Sequence, residues 1–279
     1  MKPRVLLCSD LDRTLIPNGV QKESDDARGI FSQFVQSAGM NLAYVSGRHR
    51  SLIQDAIQEY QLPEPDYVIG DVGATLYEIR QGEWHYCQDW ENEISSDWNG
   101  FSHAELVVLF EGFDALKLQE SEKQNCYKLS YYVATDIDKD ALISTMDKRL
   151  IEKGVRASLI WSIDEEKNIG LLDVLPQCAT KYHAIRFLMA RYSFSDENTV
   201  FAGDSGNDLP VLISGLQSVL VRNASDEVRD EAISALKAKG LEKKLYLARG
   251  DFMGLNGNYA AGVAEGLLHF IPQAKKWRQ

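Results

Sequence analysis

Short apolar, β-rich runs alternate with amphipathic helical stretches along most of the chain. This rhythm predicts an α/β fold built on a parallel sheet. Residues 4–9 (RVLLCS) read as a buried strand, 26–39 as a helix closed by Gly39, and 41–46 (NLAYVS) as a second buried strand leading to Gly47. A helix over 50–60, a strand over 66–70 and a hairpin of 74–79 with 82–86, turning near Gly82, follow. The rhythm then changes. Helix 102–116, strand 127–134, helix 138–154 and strands 155–163 and 169–174 form a βαβ-like module set into the sheet domain. The first rhythm resumes with helices over 181–192, 208–213, 226–240 and 259–270 and strands over 199–203, 218–223 and 245–248. The domain expectation is therefore a core of 1–87 and 173–279 with an inserted unit of 88–172. Residues 273–279 read as a frayed tail.

Composition narrows the classes. The 279 residues are 44% hydrophobic and 25% charged, enough for a sizeable globular core. No apolar run is long enough to cross a bilayer, and Asp10 and Asp12 interrupt the first apolar segment, so no signal peptide is read and the expected location is cytoplasmic. Thirty basic against 41 acidic residues give a net charge of −11, which argues against nucleic acid or an anionic membrane as partner. The four cysteines and five histidines are scattered, with no zinc-ligand spacing and no HExxH.

The candidate chemistry sits where strands end. VLLCSDLDRTL puts Asp10 and Asp12 two positions apart at the close of an apolar run, and LAYVSGRH and TVFAGDSGNDLP likewise end in polar residues and glycine before a helix. In an open parallel sheet ligands gather outside the carboxyl ends of the strands, so Asp10, Asp12, Ser46, Asp204 and Asp208 can share one crevice. Four facing carboxylates call for a hard divalent cation, and Mg²⁺ suits carboxylates, water and a substrate phosphate. Helix capping is the competing reading, and taken alone it is favoured for Ser46 and Ser205. It fits Asp10 poorly, because an acid beside a buried strand costs desolvation unless paired. Lys181 at a helix start opposes the macrodipole, which points to an anion nearby. Arg48 and Arg222 either bind substrate anions or make surface salt bridges.

DLDRTL, SGR, Lys181 after DVLPQCAT, and GDSGND occur in the order of the haloacid dehalogenase (HAD)-like phosphatases, and the chain resembles that superfamily. The resemblance implies a HAD-like Rossmannoid core, with the insertion as the larger type of α+β cap of the Cof-like branch. DLDRTLIPNG, EPDYVIGDVGATLY, QNCYKLSYYV and VLVRNA are similar to the sucrose-phosphate phosphatase branch in particular. By that resemblance Asp10 is the nucleophile that forms an aspartyl phosphate. Asp12 is the acid and then the base, its backbone carbonyl facing the metal, and Lys181 neutralises the phosphoryl group. Asp204 and Asp208 complete the Mg²⁺ ligands. Thr14, Ser46, Gly47, Arg48 and Asn207 are assigned to substrate or to fixing the phosphate loop, with Gly203 and Gly206 permitting its turn.

In the cap strand, alternation puts Lys128, Ser130 and Tyr132 on one face, and the segment resembles the one that holds the sugar. Ser130 is equally well read as the polar outer face of a half-buried strand. Trp90, Trp98 and Trp161 either stack on sugars or fill the core. The expected partner is a small sugar-phosphate substrate, with association with a sucrose-phosphate synthase implied by the resemblance and a monomer as the simplest state. The activity expected is an Mg²⁺-dependent hydrolysis of sucrose 6-phosphate. The rivals are a phosphatase for glucosylglycerol phosphate or mannosyl-3-phosphoglycerate, and a silent sugar-phosphate-binding module. The presence of every catalytic acid and of Lys181 argues against the last.

Overall fold

The computed structural model describes residues 4–36, 39–164, 167–250 and 252–277. Residues 37–38 of the first expected helix and 278–279 of the expected tail lie outside them. Two compact units are present, Met1–Tyr86 with Lys181–Gln279, and Cys87–Thr180.

In the first unit β1 (Val5–Ser9), α1 (Ala27–Val35), β2 (Met40–Val45), α2 (Arg50–Glu59), β3 (Tyr67–Gly70), β4 (Thr75–Arg80) and β5 (Glu83–Tyr86) come first. The inserted unit holds α3 (Gln88–Ser95), α4 (His103–Leu109), β6 (Lys117–Leu118), β7 (Leu129–Val133), α5 (Lys139–Glu152), β8 (Ala157–Asp164) and β9 (Ile169–Pro176). The first unit resumes with α6 (Lys181–Tyr192), β10 (Thr199–Gly203), α7 (Leu209–Leu212), β11 (Gln217–Leu220), α8 (Asp226–Lys239), β12 (Leu245–Leu247) and α9 (Ala260–Phe270).

The large sheet has the order β12-β11-β10-β1-β2-β3-β4-β5, parallel from β12 to β3 and antiparallel through the hairpin. Every residue of β1 is buried, so both faces are covered, which is why this strand reads as a continuous apolar run rather than an alternating one. Val5 and Leu7 join Phe31 and Phe34 of α1 and Val263 and Leu267 of α9 in one apolar cluster. Pro272–Trp277 form a turn of 3₁₀ helix, and Ala274 lies in that same cluster, so this part of the expected tail packs on the core.

The inserted unit is a four-stranded antiparallel sheet, β6-β7-β9-β8. β9 lies between β7 and β8, so the expected β-α-β is a split one. Leu129, Tyr131 and Val133 pack with Leu142, Met146 and Leu150 of α5. Residue 172, the expected edge of this unit, falls inside β9, and the division comes after Thr180. No helix among the described residues is long and apolar enough to cross a membrane.

Candidate active site

β1 sits between β10 and β2, and the chain's connections leave it in opposite directions, so a crevice opens at the carboxyl ends of these three strands. Asp10 directly follows β1. Its N–H donates to the Ala202 carbonyl at 2.9 Å, which extends the ladder one residue beyond the strand and fixes the buried side chain. Asp10 Oδ1 accepts from Lys181 Nζ at 2.8 Å, and Oδ2 lies 3.5 Å from Thr14 Oγ1. Lys181, the first residue of α6, also donates to Asp208 Oδ1 at 2.8 Å. Thr14 Oγ1 reaches Asp204 Oδ1 at 3.3 Å.

Asp208 Oδ2 accepts from the backbone N–H groups of Asp204 and Ser205 and from the Ser205 hydroxyl, at 3.1, 3.2 and 3.1 Å. The carboxylate fits because residue 203 is glycine: a Cβ there would lie 2.6 Å from Asp208 Cγ. Gly206 carries no such duty, since a Cβ on it would meet open space.

Burial drives the electrostatics. It pushes Asp10 up to about 7 against the pull of Lys181, with Asp208 adding to the rise. Asp204 is pushed to about 6 by burial and by Asp208, against Arg13. Burial works against the Lys181 charge, yet Asp10 and Asp208 hold its ammonium well above the ordinary lysine range. Asp10, Asp204 and Asp208 each offer an oxygen within 4.8 Å of the others, a buried set of hard donors that fits Mg²⁺. Asp208 already accepts four hydrogen bonds, against two on Asp10 and one, with the Arg13 ion pair, on Asp204, so Asp10 and Asp204 keep the most capacity for a cation.

Asp12 stands outside that group. Arg48 grips its carboxylate with Nε on Oδ2 at 2.8 Å and Nη2 on Oδ1 at 2.6 Å, and Asn18 Nδ2 adds a bond to Oδ1 at 2.7 Å. Burial opposes the charge, but the Arg48 hydrogen bonds and charge, with Asn18, keep this carboxyl below the ordinary range. Arg48 thus pairs with a site residue rather than with a surface acid. Ser46 is fully buried, and its hydroxyl accepts from the Arg48 N–H at 3.1 Å, which shapes the turn after β2.

A cleft of about 220 Å³ is lined by Asp10, Asp12, Gly47, Lys181, Asp204 and Asn207, together with Arg13, Val72 and Ser205. Arg13 and Val72 were not expected from sequence. Arg222 does not line that cleft and makes no ion pair among the described residues: its Nη1 donates to the carbonyls of Arg249 and Asn256 at 3.0 and 3.1 Å.

In the inserted unit Lys128 Nζ lies 3.7 Å from Asp173 Oδ2, and the Ser130 hydroxyl donates to Asp173 Oδ1 at 2.6 Å. Lys128 and Ser130 are buried. Asp173, one cross-strand step away on β9, joins them into a polar cluster, and its pairing with Ser130 is invisible without the register. Trp90 and Trp98 are fully buried core residues, and Trp161 packs against the apolar cluster of this unit.

Residues 3–271 match the family model of sucrose-6F-phosphate phosphohydrolase. An uncharacterised HAD-like hydrolase of Nitrosococcus oceani is 57% identical over 279 residues, covering all of this chain and 75% of that protein. A mannosylfructose-phosphate phosphatase of Agrobacterium fabrum is 29% identical over 280 residues, covering 97% of this chain and 98% of the relative. Among solved structures, the sucrose-phosphatase of Synechocystis, determined with sucrose and phosphate, is similar with a TM-score of 0.72 at 25% identity, covering 96% of this chain and 98% of the other.

Proposed function

The chain belongs to the sucrose-6F-phosphate phosphohydrolase family, and from that premise we propose that it is an Mg²⁺-dependent phosphatase that hydrolyses sucrose 6-phosphate through an aspartyl phosphate on Asp10. It is a HAD-like phosphatase of sugar phosphates, and hence a phosphoric monoester hydrolase. The observation that carries the mechanism is the buried Asp10 carboxylate, held between Lys181 and Thr14 beside Asp204 and Asp208, while the family supports the sugar.

The side chains divide the reaction as follows. An Asp10 oxygen attacks phosphorus as the ester oxygen departs, so the P–O bond to the sugar breaks while an acyl phosphate forms on Asp10. Lys181 and the Thr14 hydroxyl keep the nucleophile in place, and the lysine balances charge on the transferred group. Asp12 gives a proton to the leaving oxygen and takes one from the water that attacks the acyl phosphate. The Arg48 grip favours the ionised carboxylate, which is the form the second step needs; for the first, Arg48 must release an oxygen so that it can carry a proton. A divalent cation held by Asp10 and Asp204 would supply charge neutralisation to the phosphoryl oxygens.

The pH dependence of cation binding follows from the raised carboxyls. Their folded-state values lie above the ordinary carboxylate range of about 4, so between about 4 and about 7 the native state holds protons that the unfolded chain has lost. Without a cation these groups therefore contribute less stability as pH rises, and a cation must displace protons as pH falls. Mg²⁺ is expected to raise the thermal midpoint more at pH 8 than at pH 6, and a chelator to remove both the rise and the activity. Equal shifts at the two pH values would place the cation away from Asp10 and Asp204.

The Agrobacterium relative supports a second reading, mannosylfructose phosphate as substrate. Sucrose is a glucosylfructose, so the two candidates differ in the configuration of one hydroxyl. Phosphate release from both, from fructose 6-phosphate and from an aryl phosphate decides between them. We expect kcat/KM to be highest for sucrose 6-phosphate and Lys128→Ala to lower it by at least about tenfold, roughly 1.4 kcal/mol of transition-state binding. The aryl ester, which offers no sugar hydroxyl, should change little. Equal losses on both esters would count against a sugar-binding role for Lys128, and a higher value for mannosylfructose phosphate would favour the second reading.

A further inference from the structure

Arg13 adopts the left-handed conformation, φ 58°, unfavourable for a residue that has a Cβ. Both of its backbone polar groups are held there by side chains. Its N–H donates to Asn18 Oδ1 at 2.8 Å, and its carbonyl accepts from Asn223 Nδ2 at 2.6 Å. Asn223 is itself buried, and its Oδ1 accepts from the Tyr259 N–H at 2.8 Å, so the tether is anchored at the start of α9. Asn18 also donates to Asp12, which ties the backbone of Arg13 to the clamped carboxylate.

This arrangement brings Arg13 into the lining of the cleft with Asp10, Lys181, Asp204 and Asn207. The other cation of the lining, Lys181, is already engaged with Asp10 and Asp208, and Arg48, outside the lining, is engaged with Asp12. Among the described residues the Arg13 side chain pairs with Asp204, through Nε at 3.4 Å, with 48% of its side chain exposed. Its two Nη groups, carrying four N–H donors, make no hydrogen bond among the described residues. A half-exposed ion pair at that distance contributes little, so it does not account for a strained backbone secured by two amide side chains. A planar fork of open donors beside the nucleophile fits a phosphate.

We propose that Arg13 is a phosphate-binding residue of the cleft, its guanidinium passing from Asp204 to oxygens of the phosphoryl group on substrate binding and holding inorganic phosphate before release. The proposal rests on the reading above only in that the cleft accepts a phosphate ester; it does not depend on which sugar is attached. A divalent cation on Asp204 would compete with Arg13 for that carboxylate and free the guanidinium for the anion.

Calorimetric titration of inorganic phosphate into the full chain with Mg²⁺ tests it. Arg13→Asn removes the fork while tolerating positive φ, and Arg13→Gly, unrestricted at that φ, is the second variant. Each is expected to weaken phosphate binding at least about tenfold, the loss of a charge-assisted pair, without weakening Mg²⁺ binding measured by thermal shift. Arg13→Lys, which keeps charge but not the fork, should fall between them and wild type. Phosphate affinity within twofold of wild type in either folded variant would overturn the proposal and reduce Arg13 to a counter-ion of Asp204. A wild-type chain that neither binds phosphate nor releases it from any ester would instead overturn the phosphatase reading.

Discussion

Asp10→Asn is expected to abolish phosphate release, lowering kcat by at least about a thousandfold, while the purified variant folds as the wild type does. The amide keeps the shape of the carboxylate but lacks its nucleophilic oxygen. Its effect on stability should be neutral or favourable in the absence of a cation. Burial already pushes the Asp10 carboxyl up to about 7, so its charge is a cost to the folded state, and Lys181 retains Asp208 as a partner. Phosphate release at saturating substrate and a thermal melt on the same preparation check both halves. A variant that turns over near the wild-type rate would require a nucleophile elsewhere.

Lys181→Met should lose both activity and stability. The ammonium is buried and bonded at 2.8 Å to two carboxylates, and removing it leaves Asp10 and Asp208 facing each other without that cation. Breaking a buried pair in this way costs about 3–5 kcal/mol, and loss of a charge that balances the phosphoryl group lowers kcat by about a hundredfold or more. The pH dependence has a definite sign. The lysine's raised folded-state value keeps its own contribution intact through neutral pH. In the variant Asp10 loses the partner that opposed its rise, so it takes a proton more readily and the penalty shrinks as pH falls from 8 to 6. Urea denaturation at the two pH values reads this, and wild-type stability at pH 8 would contradict the assigned pairing.

Much of the candidate site's placement is legible because parallel-sheet topology gathers strand ends. Asp10 after β1 and Asp204 after β10 stand next to each other once those strands are neighbours, and the apolar runs that define them are continuous because both faces are buried. Other contacts depend on reach and backbone sign, which carry no local pattern. Arg48 and Asp12 are 36 positions apart, and nothing in SGR indicates that its arginine closes on the acid rather than on substrate. Arg13 is the one basic residue near Asp10 in the sequence, but its place in the cleft lining depends on a positive φ and two amide tethers. Asn223 was read as the end of a strand, whereas β11 stops at Leu220 and the asparagine serves the loop after β1.

The same limits apply in the inserted unit. α3 went unread because Trp90 and Ile94 are its only buried positions, too few to set a helical period. α4 was expected to reach 116 but stops at Leu109, and the backbone turns left-handed at Gly112, with φ 87°. Its start was readable, since Ser102 and Glu105 form a capping box. Alternation predicts that Lys128 and Ser130 act together; Lys128 precedes β7 and Ser130 lies on it, and what joins them is Asp173 of the partner strand, which alternation does not reveal.

The claim that Asp10 becomes phosphorylated can be tested directly by quenching the enzyme during turnover of sucrose 6-phosphate, reducing with borohydride and sequencing peptides by mass spectrometry. An acyl phosphate on an aspartate is reduced to the alcohol, so homoserine is predicted at position 10 in the wild type and nowhere in Asp10→Asn. Unmodified Asp10 in enzyme trapped while phosphate is being released, or homoserine at another aspartate, would contradict the account.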